Sequence, residues 1–440
     1  MQAPAVYPAR VAEGSGAAVV VMKFGGTSVA DAQRIKRAAA RIVARRNEGY
    51  AVVGVLSARG KTTDELIAMA HEVSLDPDPR EMDMLLSTGE RISCALCAMA
   101  IHDLGHKAIS FTGSQAGIVT DTYHTKARII EVRADRIKNA LGEGMIVLVA
   151  GFQGVSTSAD VTTLGRGGSD TTAVAVAAAL EAQECEIYTD VPGVYSADPR
   201  IVANARKLPW LSFEEMLEMS ASGAGVLQLR SVEYARNHGV RIHCRSSFGE
   251  DPGTLVASEA EVSEQMEERP LVTAVTHSTS ESMVTLSGVE HRPGVAAEIF
   301  DALAQANVNV DMIDQNVPLS RGGAAEISFT VPHEDLRLAT RALERFGGEL
   351  FSECHTREEM GKVSIVGAGM RTHPGVAAQV FRVLSEAEIN IEMISTSPIK
   401  ISCVIAREQV PLAVRALHAA FELGGEGTVL AEDPFAAGGL

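Results

Sequence analysis

A chain of 440 residues is too long for one ordinary hydrophobic core and fits two or three domains. With 46% hydrophobic and 22% charged residues it has the balance of a globular protein, and its formal net charge of -17 argues against nucleic acid or an anionic membrane surface as a partner, because both need basic patches. An anionic small substrate would need a local positive site.

The first 16 residues carry one arginine and no continuous apolar run, so a flexible lead-in is expected there rather than a signal peptide. No uncharged stretch reaches the roughly 20 apolar residues of a membrane span, and a cytoplasmic protein with no membrane partner is expected. In chain order, AVVVMKF (18–24), AVVGVLS (51–57), KAIS (107–110), MIVLVAG (145–151), CEIYTD (185–190) and VRIHC (240–244) read as strands, with amphipathic or alanine-rich helices between them. That alternation predicts an α/β unit with a mainly parallel sheet covered on both faces. EDPGTLV (250–256) turns the chain, and ASEAEVSEQMEERP (257–270) reads as an acidic linker.

Beyond it the chain repeats itself. RPGVAAEIFDALAQANVNVDMI (292–313) and HPGVAAQVFRVLSEAEINIEMI (373–394) agree at about half their positions, 81 residues apart. Each follows a strand (MVTLSGV, 283–289; KVSIVGA, 362–368), and the pattern predicts two βαββαβ units whose sheets pair edge to edge. PLVTAVTH (270–277) precedes the first copy and is placed to pair across into the second.

The chemistry lies where strands hand over to helices. In VVMKFGGTSVAD, Lys23 stands near a strand end, Gly25 and Gly26 let backbone approach a ligand, and Thr27 or Ser28 can cap the next helix. A helix amino terminus with a lysine beside it suits phosphate, against the plainer reading of a βα turn with a surface lysine. In GVLSARGKTT five residues separate Gly54 from Gly60, where the phosphate loop GxxxxGK[ST] needs four, so Lys61-Thr62 is not read as that loop. No GxGxxG follows a strand, which disfavours a dinucleotide enzyme. Cys94 and Cys97 form a CxxC, but ISCALCAMAI is an apolar helical run without a second ligand pair, and core packing is expected rather than redox or zinc chemistry. TTLGRGGSDTTA (162–173) opens a helix of small residues: Arg166 can clamp a carboxylate, and Gly167, Gly168 and Ser169 offer N–H groups and a hydroxyl, unless Ser169 or Asp170 simply caps the helix. YTDVPGVYSADPR (188–200) is punctuated like a binding loop over a sheet edge.

Taken in order, KFGGTS (23–28), STGERIS (87–93), TTLGRGGSDTTA and YTDVPGVYSADPR, followed by two repeats carrying PGVAA and N[VI][DE]MI, resemble the aspartate kinases of the amino-acid kinase family over nearly all of residues 18–430. Sibling kinases for acetylglutamate or uridylate share the sheet but as a rule lack the paired repeats. The resemblance implies a three-layer α/β/α sandwich with a mainly parallel sheet, plus two ferredoxin-like ACT repeats. The boundaries are a lead-in 1–17, a catalytic domain 18–256, a linker 257–270, and repeats 271–355 and 356–440. It implies phosphorylation of the β-carboxylate of L-aspartate to 4-phospho-L-aspartate, with ATP and Mg²⁺ as cofactors and no metal site of the protein's own. That reaction opens lysine, threonine, methionine and diaminopimelate biosynthesis.

Carried over residue by residue, Lys23 and Asp170 take the catalytic roles. ATP falls on Lys23, Phe24, Gly25, Gly26, Thr189, Asp190, Tyr195, Ser196, Asp198 and Arg200, and aspartate on Ser57, Thr63, Glu90, Arg166, Gly167, Gly168 and Ser169. A carboxylate nucleophile, with an ordinary pKa of about 3.9, needs no general base. In SASGAGVLQLRSVEYA, Gly225 stands where the family usually has a phosphate-site lysine; either another cation, Lys61 or Arg230, substitutes for it or the ATP site is weakened. The alternative is a non-catalytic, amino-acid-binding regulator of the same family.

ACT repeats resemble small-amino-acid sensors, and the resemblance implies feedback by lysine, threonine or both. The implied effector contacts are His291, Pro293, Gly294, Val295, Ala296, Asn309, Val310, Asp311, Gln315 and Asn316, with His373, Gly375, Val376, Asn390, Ile391 and Glu392 in the second copy. His291 stands where relatives often have an acid, which favours threonine over lysine, and neither His291 nor His373 is read as a metal ligand. Paired repeats imply at least a homodimer. Met266 is suitably placed as an internal start for an ACT-only small subunit, and no fused homoserine dehydrogenase is expected.

Overall fold

The computed structural model describes residues 17–266, 270–316 and 325–425. Apart from Ala17, the expected lead-in lies outside them. The first part of the chain runs through β1 (Val19–Phe24), β2 (Ala51–Leu56), β3 (Ala108–Phe111), β4 (Ile118–Thr120), β5 (Ile129–Val132), β6 (Ile146–Ala150), β7 (Gln153–Ser156), β8 (Val161–Thr163), β9 (Glu184–Thr189), β10 (Trp210–Ser212), β11 (Ile242–Ser246) and β12 (Thr254–Ala257). Its helices are α1 (Ala32–Asn47), α2 (Thr62–Val73), α3 (Pro79–Leu86), α4 (Thr88–Asp103), α5 (Asp135–Gly142), α6 (Gly168–Ala179), α7 (Phe213–Ala221), α8 (Leu229–His238) and α9 (Glu259–Gln265).

Eight strands form one sheet in the order β10-β12-β11-β9-β1-β2-β6-β3, parallel except for the β11–β12 pair. β2 and β6, AVVGVL and IVLVA, are buried along their whole length because helices cover both faces. One face packs Val21, Val53 and Val55 against Ala173, Val174 and Ala177 of α6; the other packs Met22 and Val52 against Ile35 and Ile42 of α1 and Cys94, Cys97 and Ile101 of α4. Both α4 cysteines are thus core residues, and burial pushes the Cys97 thiol up to about 12. α3 and α4 together, Pro79–Asp103, are long and apolar enough to cross a membrane by length and composition, but α4 packs against α1 and the large sheet and α3 against β8. A small second sheet, β5-β4-β7-β8, was not legible in the sequence, because its strands are only three or four residues long.

From β1 the chain moves to β2 on one side and returns through β9 on the other. The carboxyl ends of β1 and β9 therefore flank a topological switch point, where open α/β sheets bind ligands.

The second part comprises β13 (Ala274–Val289), α10 (Val295–Gln305), β14 (Ile313–Asn316), β15 (Ala325–Pro332), α11 (Leu336–Leu343), β16 (Glu353–Val366), α12 (Val376–Glu386), β17 (Met393–Ser397), β18 (Lys400–Ala406) and α13 (Val410–Ala420). Its strands form one antiparallel sheet, β14-β15-β13-β16-β18-β17. β13 and β16 each serve both repeats. Residues 274–278, ahead of the first repeat, pair with the second, from Ala274 opposite Val366 to Ser278 opposite Lys362. The segment expected as a linker carries α9, whose capping box joins Ser258 to Glu261 and whose Val262 is buried.

The two parts are tied through α7. Glu215 Oε1 accepts from Thr273 Oγ1 (2.7 Å) and Ala368 N (3.3 Å), while its Oε2 accepts from Ser212. Glu218 pairs with Lys400 at 2.8 Å. The core of the second repeat also takes in Tyr195, Ala197, Val202 and Ala205, so the loop after β9 is packed by that repeat.

Candidate active site

β1 ends at the carboxyl edge with Lys23 and Phe24 between β2 and β9. Lys23 is 9% exposed, and its Nζ lies 2.5 Å from Asp170 Oδ1 in the first turn of α6, so each buried charge is matched by the other. The capping residue of α6 is Gly167 at φ 71°, not Ser169 or Asp170, and no side chain caps the helix. Gly168 N donates to Gly165 O at 3.0 Å, which leaves the N–H groups of Ser169 and Asp170 in the first turn as donors. The glycine turn likewise differs from expectation. Thr27–Val29 is a short 3₁₀ turn, Ser28 Oγ meets Ser247 Oγ at 2.5 Å, and Asp31 caps α1 by accepting from Arg34 N.

After β2, Ser57 N donates to Phe24 O (3.1 Å) and Ala58 N donates to Glu90 Oε1 (3.1 Å). Glu90, in the first turn of α4, is 3% exposed, and its Oε2 has no hydrogen-bond partner among the described residues. Burial lifts its carboxyl to about 7, against the opposing backbone N–H groups of Glu90 and Ala58. Such a carboxylate is completed by a cation, and an ammonium group fits it. At the end of β6, Gly151 N donates to Leu56 O, and a Cβ there would lie 2.8 Å from Ser169 Oγ. Lys23, Ser57, Glu90, Ser169 and Asp170 thus gather at the carboxyl ends of β1, β2 and β6. Thr63 is half-buried in the first turn of α2, and Arg166 is exposed in the loop before α6.

That loop is held from behind: Arg230 donates to the carbonyls of Leu164 (2.7 Å) and Ala127 (3.1 Å). Arg230 is therefore committed to the loop and does not stand in for a lysine at 225; Lys61 is exposed at the start of α2. Sequence reasoning missed Gly151 and Asp83. Buried Asp83 accepts from His124 and Thr163, side chains far apart in the chain.

Beside β9 a cleft of about 480 Å³ is lined by Thr189, Asp190, Tyr195, Asp198 and Arg200, with Gly225 on its border. Arg200 grips Asp198 through Nε (3.0 Å to Oδ1) and a terminal nitrogen (2.7 Å to Oδ2). Burial pushes the Asp198 carboxyl up, but the Arg200 hydrogen bonds outweigh it and hold the group below its ordinary value. A Cβ at Gly225 would meet open space. Gly223 has φ 105°, and its Cβ would fall 1.9 Å from the carbonyl oxygen of His277. Gly223→Ala is therefore expected to lower Tm, from backbone strain of about 1–3 kcal/mol plus the clash; thermal melting checks it.

Five assigned nucleotide contacts do not line this cleft: Lys23, Gly25 and Gly26 stand at and just past the end of β1, and Ser196 and Phe24 are enclosed. Ser196 is fully buried, with its hydroxyl shared among His418 Nε2 (3.0 Å), Leu423 O (3.1 Å) and Arg206 N (2.8 Å). Phe24 is 1% exposed and stacks on Tyr188 at 4.8 Å, and its carbonyl already accepts from Ser57 N. Among the described acidic and imidazole groups, Glu184, Glu186 and His243 lie close enough to hold a cation. Arg45 already meets both glutamates, at 3.0 and 2.6 Å, and Arg245 meets Glu186 at 3.2 Å.

In the repeats, Val295 and Val376 are core residues, so a ligand at those helix starts meets backbone rather than their side chains. His291, Pro293, Gly294, Ala296, His373 and Gly375 are exposed around the same helix starts, as are Asn309 and Asn390 farther on. Val310 and Ile391 pack partly against the cores. Asp311 is paired with Lys362, Glu392 with Arg357, and Gln315 and Asn316 are exposed on the edge strand β14.

Residues 18–246 match the amino acid kinase family, and residues 284–345 and 363–421 match the ACT domain. The chain is 55% identical over 411 residues to an aspartokinase of Mycolicibacterium smegmatis, covering 93% of this chain and 97% of that one. It is 53% identical over 411 residues to an aspartokinase of Corynebacterium glutamicum, with the same coverage of both chains. Among solved structures, E. coli aspartokinase III in complex with aspartate and ADP, in its R-state, superposes with TM-score 0.78 at 28% identity, over 91% of this chain and 99% of that one. The T-state of the same enzyme with lysine and aspartate gives TM-score 0.71 at 27% identity, over 92% and 99%.

Proposed function

The chain belongs to the amino acid kinase family, as an aspartate kinase with ACT domains, and from that premise we propose how its own residues carry the reaction. The observation that bears the reading is the cluster at the carboxyl edge, where buried Lys23 pairs with Asp170 in the first turn of α6 and Glu90 keeps an unpartnered oxygen.

L-Aspartate binds with its ammonium on Glu90 and its α-carboxylate on Arg166, while Ser57, Thr63, Gly167, Gly168 and Ser169 orient the β-carboxylate. ATP lies across Lys23, Gly25 and Gly26, with its nucleoside in the cleft of Thr189, Asp190, Tyr195, Asp198 and Arg200. One β-carboxylate oxygen attacks the γ-phosphorus, the bond to the β,γ-bridging oxygen breaks, and ADP leaves 4-phospho-L-aspartate. Lys23 and the α6 N–H groups meet the charge spread over the transferring group, and Asp170 holds Lys23 in place. Mg²⁺ is bound largely by phosphate oxygens and needs only one or two carboxylates. Asp170 and Asp190 are the carboxylates beside that end of the site, and the ion, when bound, neutralises phosphate charge.

The product opens aspartate-family biosynthesis, and the repeats sense lysine, threonine or both in an assembly of at least two chains. Arg166→Ala is expected to raise KM for aspartate about tenfold or more, the worth of a charge-assisted pair, with KM for ATP unchanged; equal losses in both would remove the clamp. The reading as a whole is tested by ATP-to-ADP turnover with hydroxylamine trapping of the acyl phosphate, with and without aspartate, and with lysine and threonine separately and together. Aspartate-dependent hydroxamate that falls with an effector is expected. Hydroxamate at background, with amino acids still bound, would make the chain a regulator instead, and unchanged turnover under both effectors would remove the feedback claim.

A further inference from the structure

The nucleotide cleft is not built by the kinase unit alone. Val275, Thr276 and His277 of β13, a strand of the repeat sheet, form one of its walls. That stretch of β13 is held on two sides. Residues 274–278 pair with β16, and where β15 does not reach, Val275 N donates to Ser196 O at 2.8 Å. The Gly223 backbone rests against the His277 carbonyl, so the wall and the 223–226 loop are in contact.

Thr276 is 5% exposed, yet its Oγ1 has no hydrogen-bond partner among the described residues. A buried hydroxyl left unmade is unfavourable, and a ligand in the cleft is the partner the site lacks. His277 is half-buried in the same wall, with Asp198 and Arg200 as its charged neighbours. Val191, Val194, Met219 and Val226 make much of the remaining lining apolar, which suits a base and ribose rather than phosphate.

We propose that Thr276 and His277 are nucleotide-binding residues: the Thr276 hydroxyl and the His277 imidazole contact the adenosine half of ATP, so that the repeat sheet supplies part of the nucleotide site. This rests on the placement of nucleotide in that cleft. A shift of β13 is then felt as a change in ATP affinity, which gives the repeats a direct physical route to the reaction.

The test is calorimetric titration of the full chain with ADP, and separately with adenosine, for the wild type, Thr276→Val, His277→Asn and Arg200→Ala, together with KM for ATP and for aspartate. Thr276→Val keeps the side-chain shape and the strand preference, so it isolates the hydroxyl. Each β13 variant is expected to bind ADP and adenosine about fivefold more weakly and to raise KM for ATP alike, the worth of one hydrogen bond, with KM for aspartate and Tm unchanged. If Arg200→Ala weakens ADP while both β13 variants bind as the wild type does, the inference falls and the nucleotide placement stands. If none of the three weakens ADP, or the wild type does not bind it, both fall. A loss matched by an equal rise in KM for aspartate is a general structural effect and also overturns the inference.

Discussion

Lys23→Ala is expected to lower turnover by about two orders of magnitude or more while the protein stays folded. Lys23 is the cation buried at the end of β1, 2.5 Å from Asp170 and next to the α6 amino terminus. In so enclosed a site a full charge acts with little screening, and water cannot replace it without reorganising. The substitution also strands the Asp170 carboxylate, 9% exposed at its side chain, and losing one partner of a buried pair costs about 3–5 kcal/mol. The double variant Lys23→Ala, Asp170→Asn removes that charge. It is expected to recover most of the Tm lost by the single variant and none of the turnover. Measured by ATP-to-ADP turnover beside thermal melting, near-normal activity of Lys23→Ala would defeat the assignment.

Glu90→Gln is expected to raise KM for aspartate about 10- to 100-fold, the span of a hydrogen-bonded charge pair, with little change in KM for ATP. The wild type should carry a pH signature that the variant lacks. Burial lifts the Glu90 carboxyl from 4.5 to about 7, so below pH 7 the free protein holds it neutral and unable to pair with the substrate ammonium. KM for aspartate should therefore climb as pH falls through about 7 in the wild type and stay flat in Glu90→Gln. The stability sign is opposite to that of a paired carboxylate. A raised value means that the folded state binds the proton more tightly than the unfolded state, so ionisation costs stability as pH rises from the ordinary value through 7, and below the ordinary value that cost is absent. Glu90→Gln should then melt no lower than the wild type at pH 8. A flat wild-type profile across pH 6 to 8 would show that Glu90 does not meet the ammonium.

Much of this site was legible because local chemistry and chain order coincide. VVMKFGG ends β1 at the carboxyl edge of the parallel sheet, while TTLGRGGSD leaves β8 of the small sheet and opens α6, which packs on β1, so Lys23 and Asp170 meet although far apart in sequence. Lines of inference that stopped at local pattern fared less well. Ser196 sits in a loop whose punctuation suggests ligand binding, yet its hydroxyl is taken by His418 from the far end of the chain. Arg230 reads as a spare cation and proves to be a brace for the loop that carries Arg166. Helix caps moved by two to four residues, to Asp31 and Gly167, because caps depend on where the backbone turns rather than on which nearby side chain is able to cap.

By itself, the sequence determined the alternating α/β unit, the duplicated repeat and the residue types of the phosphate and carboxylate sites, since each is written in a local period or in a motif at a strand end. The pairing of residues 274–278 with the second repeat was likewise expected from their place ahead of the first copy, but only the tertiary structure decided that β13 and β16 run through both repeats as one six-stranded sheet. The same holds for the packing of the post-β9 loop by the second repeat and for the place of Thr276 and His277 in the wall of the kinase cleft. The physical reason is that strand pairing and burial join residues scores of positions apart, and no local period in the chain encodes which edge meets which.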